Sequence, residues 1–470
     1  MKHSIVLFED PSWPHFRPLA PSMPMYRLRC GIFSLAERCA VLGGAMHVAC
    51  RPHLAALEEL APVGEASPVD PCLWLNGRAA PSLRVLSALD EALSGVPEAR
   101  IYDEDGLLAA VVPAGSQAGF LAGWLAWRDG AVEAWEREPA PGAQVVRGPG
   151  HTHLAFPAAV DPTAASAVAA RLDAAAAGSR APWALRRIWD IVPATAAAIA
   201  DDLAVAVAGG RWSRLPFGLV AADAAPAPWN GTVPPARVET SALAPGAWLQ
   251  GSELWCGAGV TIAPGCVLDT RRGPVVLDAG VDVGPHTLLE GPLYLGPGCR
   301  VKAGARLYGE SSFGIGNRLA GEIGESTFGD FSNKQHEGFI GHAVLGSWVN
   351  LGAMTTCSDL KNNYGNVRVD LGGGGEDTGQ MFVGLLAGDH VKTAIGTLFN
   401  TGTCVGFASN IFGGGMPPKL VEPFSWGGGA DAPVYGVGQA AATAAVVLAR
   451  RGCRFTEAHG DLFRHLARHR

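Results

Sequence analysis

The sequence predicts an α/β domain joined to an all-β parallel helix of hexapeptide coils, with a helix closing the chain. Three features carry this reading. An aliphatic residue recurs at every sixth position through Leu277, Val283, Leu289, Leu295, Val301 and Leu307. Small residues, such as Gly284 and Thr287 or Gly296 and Cys299, stand where each corner must turn. Before the repeat, short apolar runs alternate with Ala-rich helical stretches. A helix buries its face about every 3.6 residues and a one-sided strand about every 2, so a strict six describes a short strand, a corner and another short strand. The same phase is read at Leu243, Leu249 and Trp255, slips to Ile262 and Leu268, and returns at Leu345 and Leu351, giving a repeat from roughly 231 to 425.

Along the front of the chain, Ile5 to Phe8 is the first strand, followed by a Pro-rich loop through Pro24 and a helix near Ile32 to Leu42. Further strands are expected at Leu73 to Leu75, ahead of the turn Asn76-Gly77, at Leu107 to Val112 and around Leu154. Helices are expected from Pro162 to Ala177 and from Val192 to Val207, and alternation of this kind predicts a largely parallel sheet. Five prolines between Ala221 and Pro235 mark a linker. After Gly427-Gly428-Gly429 a helix from about Gln439 to Arg451 precedes a basic, His-bearing tail, and its apolar face is suited to cap the open end of the coil or to pack on a neighbour. The domains are therefore 1–225, 226–430 and 431–470.

The bulk numbers bound the function. A net charge of −7 argues against nucleic acid or an anionic membrane as partner. Ten scattered cysteines without a CxxC pair read as reduced and packed, and with no leader-like start or bilayer-length apolar run the cytoplasm is the expected address.

One segment interrupts the repeat with polar side chains: Ser332-Asn333-Lys334-Gln335-His336-Glu337-Gly338-Phe339-Ile340-Gly341, then Trp348-Val349-Asn350-Leu351-Gly352-Ala353. Further distinctive strings are Leu360-Lys361-Asn362-Asn363-Tyr364, Phe399-Asn400-Thr401-Gly402-Thr403 and Phe424-Ser425-Trp426-Gly427-Gly428. Over these the chain resembles the bifunctional GlmU enzymes, most closely a variant bacterial group of UDP-N-acetylglucosamine diphosphorylase/glucosamine-1-phosphate N-acetyltransferases. The resemblance implies a left-handed coil, a homotrimer, and two reactions: acetyl-CoA-dependent N-acetylation of an amino-sugar 1-phosphate, and transfer of a nucleotidyl group from an NTP, UTP favoured, to the sugar 1-phosphate. Mg²⁺ is expected for the second.

In that family a His three residues before an aromatic and fourteen before an Asn deprotonates the amine, and His336, Phe339 and Asn350 keep those separations. An ammonium cannot attack a thioester, and imidazole, which titrates near neutrality, is a suitable base. His336 is thus the candidate base, Asn350 an orienting group, and the Ala353 N–H the oxyanion donor. Lys302, Arg306, Arg318 and Lys334 are candidate cations for the sugar phosphate, with Phe339, Asn363 and Tyr364 as further substrate contacts. Phe339 replaces the usual Tyr, and an insertion at 358–362 alters the following loop.

The front end departs further from the family. Phe8-Glu9-Asp10-Pro11 replaces the Gly-rich phosphate loop and Pro24-Met25 replaces a Pro-Lys pair, although Phe16-Arg17-Pro18-Leu19 and Arg29-Cys30-Gly31-Ile32 resemble family segments. Arg17 and Arg29, with the Asn76-Gly77 turn, are the candidate nucleotide contacts, and Asp190, in a Trp-Asp string of the variant group, is the candidate metal contact. Arg78 stands where a carboxylate ligand is usual and cannot serve as one. Two alternatives remain open: an acyltransferase with a degenerate, nucleotide-sugar-binding front domain, and a non-catalytic regulatory coil. A metal hydratase of the γ-carbonic-anhydrase type would need His336, His342 and His390 to converge, and their spacing lacks that family's short His pair.

Overall fold

The computed structural model describes residues 1–63, 71–79, 82–222, 233–239, 243 and 245–470. Most of the predicted linker, residues 223–232, lies outside the described residues.

The front domain is built on a seven-stranded sheet: β1 (Ser4–Phe8), β2 (Met46–Ala49), β3 (Cys72–Asn76), β4 (Ala99–Asp103), β5 (Gly106–Val112), β6 (Gln144–Arg147) and β7 (His153–Phe156), in the order β2-β1-β3-β5-β4-β7-β6. Only β2, β1 and β3 pair in parallel and the other four pairings are antiparallel, so the largely parallel sheet expected above is mostly antiparallel. The cause is local, because β4 and β5 are joined by the tight turn Glu104–Asp105, and so short a turn joins only antiparallel neighbours. Helices α1 (Leu35–Val41), α2 (Leu83–Ala92), α3 (Gln117–Arg128), α4 (Pro162–Ala176) and α5 (Ile191–Gly209) complete the domain. A capping box between Ser34 and Glu37 starts α1, and Gly210 in the left-handed region stops α5.

Residues 248–421 wind into a parallel β-solenoid with three faces. The six aliphatic residues from Leu277 to Leu307 all point inward and are 0–3% exposed. Trp255 does not join them. Cys256 takes the inward place beside Leu277, while Trp255 pairs with Val276 and faces outward, because the turn at Gly251-Ser252 shifts the phase one residue earlier than the sequence reading placed it. We call the ten-stranded sheet the docked face, since the front domain packs on it. The five-stranded sheet, extended by Asn350 and the strand pair at 392 and 410, is the ladder face. The six-stranded sheet, continued at 356 and 398, is the outer face.

Helix α5 lies between the front sheet and the docked face. It is also long and apolar enough to cross a membrane (Ile188–Gly209 with its preceding turn), which corrects the expectation that no such run exists; 56% of it is buried inside the protein, as in a core helix. Its close approach requires Gly31, where an added Cβ would stand 2.5 Å from the Ala198 Cβ. Buried ions fix the docking: Arg214 bonds Asp278 at 2.8 Å, and Trp212 Nε1 donates to the same carboxylate at 3.0 Å.

The terminal segment differs from expectation. Helix α6 (Val437–Ala449) is followed by α7 (Glu457–Arg468), where a tail was read, and the two run along one corner of the solenoid rather than across its end. That corner carries Phe331, Trp348, His390 and Phe424 at positive φ, and the Phe331 and Trp348 rings stack at 4.6 Å. The helices cover this aromatic column with Leu448, Ala444 and Phe463.

Candidate functional site

The polar interruption of the repeat folds into another corner, between the ladder and outer faces. Asn333–Lys334 runs along the ladder face, residues 335–338 turn, and Phe339–Gly341 continues on the outer face. One rung on, Asn350 pairs with Asn333, and the Met354 N–H donates to the Glu337 carbonyl at 2.8 Å. The turn bearing His336 therefore sits directly over the turn bearing Ala353, about 4.8 Å away as parallel rungs require. His336 is exposed, and among the described residues its ring has no hydrogen-bond partner. The Ala353 carbonyl accepts from Gly396, whereas its N–H has no backbone acceptor among the described residues. Asn350 accepts from Asn333 Nδ2 at 3.4 Å, and Asn333 is held in turn by Arg451 Nη2 at 2.6 Å. A chain of hydrogen bonds thus runs from the end of α6 to the candidate orienting Asn, and Arg451 was invisible to the sequence reading because it stands 118 residues from Asn333.

The candidate cations divide. Lys302 lies exposed at the same corner, and Arg306, on the outer face, makes loose ion pairs with Glu322 (3.5 Å) and Glu337 (3.7 Å). Arg318 is on the ladder face beside Arg300, its Nε buried without a partner. Lys334 must be corrected. It sits in register with Leu319, inside the coil and fully buried, where its ammonium is tied to the His336 carbonyl and cannot reach a phosphate outside. Burial lowers its pKa to about 8. Phe339 is half-buried on the outer face, and Asn363 and Tyr364 stand on an exposed loop. His336, His342 and His390 occupy three different corners, so they do not converge within one chain. His342 instead bonds Asp359 at 2.8 Å, and His390 is buried with its pKa driven down by desolvation and Lys392.

In the front domain a cleft of about 660 Å³ opens at the carboxyl ends of β1 and β4, the usual place for a ligand on such a sheet. Its wall includes Ser12, His15, Asp103, Glu104, Asp105, Glu138 and His153. Arg78 explains the missing carboxylate: its buried guanidinium bridges Asp10 (3.3 Å) and Asp103 (2.7 Å). Arg186 pairs with Glu104 and Asp105, and Arg187 with Asp105.

None of the four candidate nucleotide contacts lines this cleft. Arg29 is clamped between Glu37 (3.5 Å) and Asp330 (3.7 Å), joining front domain to solenoid, because its strand faces the docked surface rather than the cleft. Asn76 is buried and donates to the Leu107 carbonyl, while Gly77 leaves no room for a Cβ against the Tyr26 backbone at 2.5 Å, so both shape the turn. Arg17 donates to the Leu371 carbonyl at 3.2 Å, on the far side of the loop. The Asp190 carboxylate accepts the Arg186 and Arg187 N–H groups at 2.9 and 2.8 Å as a helix cap. Among the described residues no group of three His, Cys, Asp or Glu side chains is arranged to hold a metal.

Comparison with known proteins agrees with this architecture. Residues 5–210 match the family model described as Sugar nucleotidyl transferase. Curated proteins named Bifunctional protein GlmU are similar to part of the chain: that of Nitrosospira multiformis is 35% identical over 142 residues (25% of this chain, 29% of the relative). Those of a Cyanothece and a Synechococcus are 31% and 33% identical, each over 27% of this chain and over 22% and 23% of the relative. The matches thus span less than a third of those relatives' length. The front domain thus resembles a sugar nucleotidyl transferase domain, and it is docked on a parallel β-solenoid. Part of the chain is thus similar to proteins of the GlmU type.

Proposed function

We propose that the protein works in sugar-nucleotide biosynthesis, with the solenoid corner transferring an acetyl group from acetyl-CoA to the amine of an amino-sugar 1-phosphate. His336 takes the amine proton, the freed lone pair attacks the thioester carbonyl, the Ala353 N–H meets the developing oxyanion, and the thiolate leaves and is protonated. Lys302, Arg306 and Arg318 surround this corner and supply charge for the sugar phosphate. The observation that carries the reading is an imidazole with no hydrogen-bond partner among the described residues, one rung from a backbone N–H with no backbone acceptor among them. The same corner exposes Met354, Ile395 and Leu398, an apolar strip that a second copy in a homotrimer would cover. Thiol release from acetyl-CoA in the presence of glucosamine 1-phosphate tests it.

The match over 5–210 supports nucleotidyl transfer from UTP or another NTP to the acetylated sugar phosphate at the front cleft. A second reading is favoured by one observation, the locking of Asp10, Asp103, Glu104 and Asp105 by arginines: the front domain then binds a nucleotide sugar without turnover. Pyrophosphate release from NTP and sugar 1-phosphate separates them, its presence supporting the first and its absence the second.

A further inference from the structure

We infer that a cavity where the front domain, the last solenoid coils and α7 meet binds a small phosphate-bearing molecule with a flat organic body, such as a nucleoside monophosphate. The cavity holds about 490 Å³, a size usual for small-molecule sites, and lies at an interface of three structural parts, where such sites concentrate.

Its charge is one-sided. Arg17, Arg51 and Arg470 line it, Arg51 being paired with the buried Glu9, and Glu422 is the acidic side chain among the described lining residues. Arg51 is only 6% exposed; Glu9 and the Ala20 and Met23 carbonyls take its Nε and Nη2, and Nη1 is left buried without a hydrogen-bond partner among the described residues. A buried guanidinium nitrogen without an acceptor is costly, and a phosphate oxygen would satisfy it. Beside it three imidazoles stack, His53 on His465 at 3.9 Å and His465 on His469 at 4.3 Å. Burial and the nearby Arg51 hold His53 at a pKa of about 3, and burial lowers that of His465.

Apolar side chains also line it: Phe407, Leu420 and Val421, and Trp13, whose ring lies 4.3 Å from the Arg51 guanidinium. Cationic and flat apolar surfaces together suit a phosphate attached to an aromatic body better than phosphate alone. The cavity is separate from the front cleft, because Ser12 and His15 line the cleft while Trp13 and Arg17, in the same loop, line the cavity. A ligand here would fix that loop from behind and fasten α7 to the front domain.

The experiment is calorimetric titration of the full chain with UMP, inorganic phosphate and uridine, together with the thermal unfolding midpoint. UMP is expected to bind and raise the midpoint, phosphate to bind more weakly, and uridine not to bind. Arg17→Ala and His465→Ala should each weaken UMP at least about tenfold, the equivalent of roughly 1.4 kcal/mol, while Glu138→Ala in the cleft leaves it unchanged. Unliganded midpoints and circular dichroism identify any variant that fails to fold, and the other variant then carries the test. Absence of UMP binding, unchanged affinity in both cavity variants, or loss of binding in Glu138→Ala would each overturn the inference. None of these outcomes depends on acetyl or nucleotidyl transfer.

Discussion

The front cleft and the solenoid corner treat polar side chains in opposite ways. In the cleft Asp10, Asp103, Glu104 and Asp105 all face guanidinium groups, two of them around the fully buried side chain of Arg78. At the corner, among the described residues, His336 is unpaired and Asn350 is held through a single side-chain bond, and Lys302 is exposed. Paired charges place the backbone; unpaired donors and acceptors one rung apart remain available to a reacting molecule. The contrast assigns the first region's charges mainly to folding and the second region's to chemistry.

Removing a partner from the cleft should show the largest structural effect. Arg78→Met strands two carboxylates in a buried setting, and we expect a loss of about 3–5 kcal/mol in urea unfolding; a loss under ~1 kcal/mol would show that water already reaches them. At the corner the corresponding change concerns assembly. Ile395, 76% exposed, borders the strip assigned to a neighbouring copy, so Ile395→Glu should move the mass in light scattering from trimer to monomer. A wild type that is monomeric at every concentration would remove that part of the account.

The smallest effect concerns Lys334, whose pKa falls from 10.5 to about 8 on burial. Between those values the unfolded chain holds the extra proton, so stability rises as pH climbs from about 8 to 10.5, and below 8 the burial cost is fully present. Lys392 is lowered to about 8 by the same cause and acts in the same direction. Lys334→Met should therefore shrink the rise without abolishing it, read from urea midpoints across that range. Identical slopes in wild type and variant would place the ammonium in water.

The sequence was legible where a side chain's place follows from its neighbours. Leu277 to Leu307 declare the coil because each occupies the same inward place one side further along. The same rule was available for Lys334, which stands six residues before Ile340 and so belongs to the inward column, although its chemistry suggested the surface. His336 and His342, also six apart, had to fall on successive corners, so one chain cannot bring them together. What could not be read are the long-range pairings. Nothing near Arg29 announces Asp330, nothing near His53 announces His465, and Arg451 reaches Asn333 only because α6 folds back along the solenoid. The front sheet was half read, since apolar runs mark strands but do not show that β4 and β5 form a hairpin.

The most direct measurement is thiol release from acetyl-CoA with glucosamine 1-phosphate, comparing wild type with His336→Ala at matched folding by circular dichroism. A general base in this position predicts a fall of about 10²- to 10⁴-fold in kcat. Equal rates in the two proteins would contradict it and remove the corner as the seat of the chemistry.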